Sequence, residues 1–257
     1  MIDDRMIDLY SISSLPIQFD YQDSSFTFQD CMTCRKRTKI GLQHLVPALL
    51  NRTLRYPEIV YEENEDLYSN EDQELFSNST LQYDIIILPA GLLGIEYIKT
   101  HIYYSPHKEG KYGSFIECLH GILTILIQKN KPKDDLDFET EVDEGILIRL
   151  RRGEKIAIPS GYYYTFINSR NDPVIFSRLH RGKGIIDYSE LMNEQGLGYY
   201  AIRKNARTEL VFNPRYKYVP KIKKCVPTSD PFRVRFGKRA LYEQIKKDVE
   251  YFIESLA

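Results

Sequence analysis

Cys31-Met-Thr-Cys34, the stretch from His101 to Glu109 and a run of tyrosines are the parts of this chain best able to do chemistry. A CxxC pair serves zinc or thiol–disulfide exchange. Zinc wants four ligands, however, and the other thiols, Cys118 and Cys225, each stand alone. A redox pair sits at a helix start in a βαβ setting, which this sequence lacks. Cys31 and Cys34 therefore read as ordinary thiols, with a metal or redox role as the alternative. His101, His107 and Glu109 lie close together in a polar stretch. They offer two imidazoles and a carboxylate for a first-row metal, or a carboxylate base near an electrophile; the alternative is plain surface residues. Tyrosines, as in Tyr162-Tyr-Tyr164, carry neutral hydroxyls that bond a polar ligand well and a metal poorly. No phosphate-binding Walker loop, dinucleotide fingerprint or Ser-His-Asp pattern is present.

The elements that would position these groups are short strands. Twenty Tyr and 12 Phe against no Trp, with 42% hydrophobic residues, suit half-buried strands. Tyr83–Leu88, Phe115–Leu119, Ile122–Gln128, Gly145–Leu150, Lys155–Pro159, Tyr162–Ile167 and Pro173–Leu179 are apolar or alternating runs separated by Gly, Pro, Asn and Asp. That spacing predicts an all-β sandwich or barrel. Short strands are expected between Pro16 and Cys31, a short helix over Ile40–Asn51, and a loop or hairpin tip over the acidic stretch Glu62–Glu74. Leu241, Ile245, Val249, Phe252 and Leu256 recur at helical spacing and predict an amphipathic C-terminal helix docked on the barrel. The expected organisation is 1–81 as N-terminal strands, short helix and acidic loop, 82–216 as barrel, and 217–257 as basic linker and helix.

Charge is uneven. Between Tyr56 and Leu81 stand eight acids and no base, whereas Lys204–Lys247 holds 13 Lys and Arg against three acids, so 13 − 3 gives +10. The basic segment could meet nucleic acid, or it could be a solvated face offset by the acidic one. The opening residues lack the basic and apolar regions of a signal peptide, and no run of about 18 apolar residues occurs. A soluble, cytoplasmic protein with reduced thiols and no membrane span is expected.

The order of motifs resembles the cupin-type glucose-6-phosphate isomerases. The likeness is carried by Pro173-Val-Ile-Phe176, Gly184-Ile-Ile-Asp-Tyr188 and Val211-Phe-Asn-Pro-Arg-Tyr216, by Pro159-Ser-Gly161 with Asn168, and by Glu96-Tyr-Ile-Lys-Thr100. It covers about Pro16 to Tyr216. The resemblance implies a mainly β fold built on a cupin (double-stranded β-helix, jelly-roll) barrel, and a homodimer. That family binds one divalent metal such as Fe, Mn, Ni or Zn through three His and a Glu, in support of an aldose–ketose isomerisation of glycolysis and gluconeogenesis. Here the matching positions fall on Tyr103, Ser105, Ser114 and Tyr164. With those residues no metal cofactor is expected. Thr100 and Tyr188 match positions near the sugar phosphate, so Thr100, Tyr103, Ser114, Tyr164 and Tyr188 become candidate ligand-binding residues.

Three readings follow. One is a metal-free, catalytically silent relative acting as a sugar or sugar-phosphate sensor or a structural partner. The second is an active glucose-6-phosphate isomerase with a rearranged site using His101, His107, Glu109 and Tyr188. The third is a nucleic-acid-binding or regulatory protein using the basic segment.

Overall fold

A computed structural model of the protein describes residues 6–104, 111–132, 140–181, 191, 193–227, 232, 234 and 236–256. The chain opens with β1 (Met6–Asp8), the one-turn helix α1 (Tyr10–Ser13), β2 (Ile17–Asp20) and β3 (Ser25–Phe28), whose strands form a small antiparallel sheet. Next come β4 (Met32–Gly41), β5 (Ile59–Ser69), helix α2 (Gln73–Asn78), β6 (Leu81–Leu88), β7 (Leu92–Leu93), β8 (Glu96–Tyr97) and β9 (Tyr103–Tyr104). The centre of the fold is β10 (Tyr112–His120), β11 (Ile122–Asn130), β12 (Val142–Arg151), β13 (Lys155–Pro159), β14 (Tyr163–Ile167) and β15 (Val174–Arg181). The chain ends with β16 (Tyr199–Lys204), β17 (Arg207–Phe212), β18 (Lys223–Cys225) and helices α3 (Leu241–Lys247) and α4 (Val249–Leu256).

Two sheets enclose the main core. The first has six strands in the order β13-β10-β15-β6-β5-β4, the second five in the order β18-β12-β11-β14-β9. From β10 to β15 the chain repeatedly crosses between them, which is the double-stranded β-helix of a cupin barrel. The mainly β fold class expected from the strand spacing is the one observed. Gly121 makes the first crossing, at φ +79°; a Cβ there would lie 2.8 Å from the Pro173 carbonyl oxygen. Only glycine meets both demands.

Period-two alternation explains why these runs form barrel strands. On β11, Leu123, Ile125 and Ile127 point inward to meet Ile116, Ile148, Ile156, Phe166 and Phe176. The alternate residues are buried as well. Tyr83, Ile85, Phe115, Ile175 and Leu179, on the outer face of the six-stranded sheet, lie under Leu9, Leu15, Phe19, Leu241, Tyr242, Ile245 and Phe252. Leu126, Leu147, Tyr163 and Ile167, outside the five-stranded sheet, lie under Tyr97, Leu197 and Ala201. Burial on both faces is why these strands read as continuous apolar runs.

Four local expectations change. The acidic stretch is not a loop: Glu62 to Ser69 continue β5, paired with basic β4 so that Lys36 faces Glu65 and Lys39 faces Glu62. The end of the stretch, from Asn70, does leave the sheet as a helical turn leading into α2. Ile40 and Gly41 end β4, and the rest of the predicted helix is two 3-10 turns, Leu42–His44 and Val46–Ala48, with Pro47 preventing a longer run. The C-terminal helix docks on the barrel as expected but breaks at Asp248, whose φ of −148° is not helical. The basic linker contributes β18, which adds to β12 in parallel at the edge of the five-stranded sheet.

Candidate functional site in the barrel interior

One end of the barrel interior is polar, and the same alternation that builds the core puts it there. On β15, Arg178 and His180 continue the inward series Val174 and Phe176; on β6, Asp84 continues Leu88 and Ile86. Ser114 on β10 precedes inward Ile116 and Cys118, and Tyr164 on β14 precedes Phe166. Tyr103 comes from β9 and Glu63 from β5, opposite Ile86.

These side chains bond one another. Ser114 Oγ lies 2.8 Å from the Tyr164 hydroxyl. The Tyr164 ring stacks on Tyr103, centroids 5.3 Å apart and planes at 19°. Tyr103 donates its hydroxyl hydrogen to Glu63 Oε1 at 2.5 Å. The Arg178 guanidinium lies over the other ring partner, 4.2 Å from the Tyr103 centroid, and its Nη2 donates to Asp84 Oδ2 at 2.9 Å. His180 Nε2 sits 2.7 Å from the same carboxylate oxygen, while Asp84 Oδ1 accepts the Asp66 backbone N–H at 3.0 Å.

Burial sets the charge states. It would raise the Asp84 carboxyl, but His180 and Arg178 overcome it and hold Asp84 well below the usual carboxylate range. Glu63 goes the other way: burial pushes it up, against Arg178 and the Tyr103 hydrogen bond. Burial raises the hydroxyls of Tyr103 and Tyr164, which stay neutral donors. Arg178 remains charged. The interior thus holds a fixed guanidinium, an ionised Asp84, a reluctant Glu63 and neutral phenols.

The structure places the sequence-predicted residues unequally. Tyr103, Ser114 and Tyr164 come together in this cluster. The Thr100 hydroxyl is buried and used locally: it donates to the His101 carbonyl at 2.8 Å and accepts the Phe166 N–H at 3.1 Å, fastening the chain to β14. His101 is buried with its ring centroid 4.1 Å from Tyr103, and its Nδ1 is hydrogen-bonded to the Tyr61 hydroxyl. Burial, then Arg178 and His44, push His101 well below the usual histidine range, so the imidazole is neutral. Ser105, His107, Glu109 and Tyr188 lie outside the described residues. Cys31 is exposed, Cys34 half-buried, and the four thiols are free. Some of the basic segment is matched to acids, with Lys217 at 3.4 Å from Glu141, Lys223 at 2.6 Å from Glu144 and Lys246 at 3.2 Å from Asp72.

Sequence reasoning missed Arg178, Glu63, His180 and Tyr61. The available signal was the period of β15, where Val174, Phe176, Arg178 and His180 share one face.

The donor set here does not fit a divalent ion. Tyr103, Ser114 and Tyr164 offer neutral hydroxyls, both nearby carboxylates already accept strong hydrogen bonds, and a guanidinium stands among them. Among the described residues, no three of His, Cys, Asp and Glu gather as a metal-binding group.

A glucose-6-phosphate isomerase of Thermococcus kodakarensis is 24% identical over 169 residues, 65% of this chain and 78% of that protein. Among solved structures, Lactobacillus farciminis oxalate decarboxylase matches at a TM-score of 0.34 with 12% identity, over 49% of this chain and 30% of its own. The cupin domain of Schizosaccharomyces pombe Cnp3 matches at 0.27 with 14% identity, over 43% and 58%. The chain therefore spans about a third of the decarboxylase and somewhat over half of the Cnp3 chain. The model of the family described as glucose-6-phosphate isomerase (GPI) matches residues 39–220, which takes in the barrel and the cluster inside it. The chain is a member of the cupin-type glucose-6-phosphate isomerase family.

Proposed function

We propose that this protein is a catalytically silent, metal-free member of its family, and that the barrel serves to sense a sugar or sugar phosphate or to hold a structural partner. The observation behind this reading is the closed set of bonds among Tyr103, Glu63, Arg178, Asp84, Ser114 and Tyr164. Aldose–ketose isomerisation moves a proton between neighbouring carbons, so it needs a free base and a group that polarises the carbonyl. Asp84 is ion-paired and held strongly acidic, and Glu63 accepts from Tyr103, so neither is poised as that base. A polar ligand could still bond the hydroxyls of Ser114 and Tyr164.

The test is conversion of glucose 6-phosphate to fructose 6-phosphate by purified protein, assayed with and without added Fe²⁺, Mn²⁺, Ni²⁺ or Zn²⁺. No turnover above the no-protein control is expected. Turnover that His101→Ala abolishes would instead support an active isomerase with a rearranged site, since His101 is a neutral imidazole beside Tyr103. Binding is read separately, as a rise in unfolding temperature with sugar phosphates.

A further inference from the structure

We infer that Arg178 occupies the place of the metal ion, and that its fixed charge, beyond the lost ligands, keeps the barrel interior closed to cations. The inference rests on the reading of the barrel as metal-free and names the residue responsible. The three described positions that match metal ligands, Tyr103, Ser114 and Tyr164, converge: the two rings stack, and the serine bonds the second phenol at 2.8 Å. Arg178 is at the same spot. Its guanidinium carbon is 4.2 Å from the centroid of the Tyr103 ring on which Tyr164 stacks. The guanidinium is nearly sealed from solvent, with its side chain 11% exposed, and it is ion-paired to Asp84, 4% exposed.

Such an arrangement works as an internal substitute. A guanidinium neutralises a buried carboxylate as a bound cation does, and its planar face stacks on aromatic rings, which a hydrated ion cannot do. Unlike a metal, it is covalently held, so the interior stays compensated whatever the metal supply. It also repels any second cation entering the same few ångströms, a repulsion strengthened by the low local dielectric. Loss of the imidazoles removes attraction for a metal; Arg178 adds a barrier that restoring them leaves in place.

The two contributions separate by mutation. One protein restores ligands alone, as Tyr103→His, Ser114→Glu and Tyr164→His; another adds Arg178→Met. Each is titrated with Co²⁺, read by visible absorption and by unfolding temperature with and without the ion. The triple variant is expected to show no saturable Co²⁺ spectrum, and the quadruple variant to bind one Co²⁺ per chain at least 100-fold more tightly, with a higher unfolding temperature. Binding by the triple variant within tenfold of the quadruple overturns the inference, as does a folded quadruple variant that binds nothing. Should the quadruple variant not fold, Arg178→Met is compared with Arg178→Met plus Asp84→Asn in the otherwise native chain. Recovery of at least half the lost unfolding temperature supports Arg178 as the compensating charge, and no recovery overturns it. Isomerase turnover by the native protein would sink the silent-relative reading, while the Co²⁺ comparison judges Arg178 by itself.

Discussion

The six-stranded sheet carries a buried ion pair on each face, and the two are built differently. On its inner face Arg178 and Asp84 meet at 2.9 Å, with His180 and Tyr103 completing the group. On its outer face Glu117 and Lys155, on neighbouring strands, meet at 2.8 Å beneath the C-terminal helices. Glu117 has a second task there: its Oε2 accepts the backbone N–H of Leu241, the first residue of α3. The inner pair belongs wholly to the barrel, whereas the outer one ties residues 124 apart in sequence. Their acids also differ. Asp84 is held strongly acidic by two partners, but burial wins at Glu117 and raises it even against Lys155. An acid that can take up a proton tolerates loss of its partner better than one that cannot.

The largest effect is therefore expected inside. Arg178→Met leaves Asp84 buried and short of its guanidinium, and breaking a buried pair this way costs about 3–5 kcal/mol. Urea unfolding at pH 7 measures it; a loss below about 1 kcal/mol would show that the interior pair is incidental. Lys155→Met should come next, at about 2–3 kcal/mol at pH 7, because the stranded Glu117 can be protonated. Its cost should shrink as pH is lowered toward 5, while that of Arg178→Met holds over the same range. Parallel behaviour of the two variants would erase the distinction between the faces.

The outer face was legible in the sequence and the inner one only in part, for a physical reason. Leu241, Ile245 and Phe252 announce their helical stripe, and burying them needs only a matching apolar surface, which Phe115 and Leu179 supply. Likewise Ile122–Gln128 reads as a strand from its turn-bounded apolar run, and the structure buries both of its faces. The inner cluster depends instead on long-range register. Arg178 meets Asp84 because β15 and β6 pair with those residues opposed, across 94 residues of sequence. Glu63 was hidden differently: among Glu62, Glu65 and Asp66 it reads as one more solvated acid, yet it lies opposite Ile86 and points inward. The convergence of Tyr103, Ser114 and Tyr164 could be anticipated from the family resemblance, since composition alone does not align β9, β10 and β14.

A smaller effect tests how firmly the tail belongs to the barrel. Tyr242 on α3 donates its hydroxyl hydrogen to Asp72 Oδ2 at 2.7 Å and accepts the Ser69 N–H at 2.9 Å, and its ring stacks on Phe76 with centroids 5.6 Å apart. Tyr242→Phe keeps the stacking and removes both hydrogen bonds, for an expected loss of about 1–2 kcal/mol. Hydrogen exchange locates the effect: faster exchange in α3 and α4 with the barrel strands unchanged means that the tail opens by itself. Equal acceleration in β11 and β14 would mean that tail and barrel unfold as one unit.

The finest distinction concerns Glu63, which among the described residues accepts from Tyr103 and forms no ion pair. Its carboxyl is raised by burial, so between the usual glutamate range near 4.3 and its higher folded value the native state binds more proton than the unfolded chain. The sign follows: Glu63 makes stability fall as pH rises through that window. Glutamine still offers an oxygen to the Tyr103 hydroxyl and has no proton to lose. Glu63→Gln should thus stay within about 1 kcal/mol of the parent at pH 4 and gain on it steadily toward neutral pH. Asp84→Asn should do the reverse and lose ground as pH rises out of the acid range, because ionised Asp84 is stabilised by Arg178 and His180. Two acids in one cluster with opposite pH slopes would mark an interior balanced around a single fixed cation. Slopes of the same sign would mean that Arg178 serves both carboxylates alike.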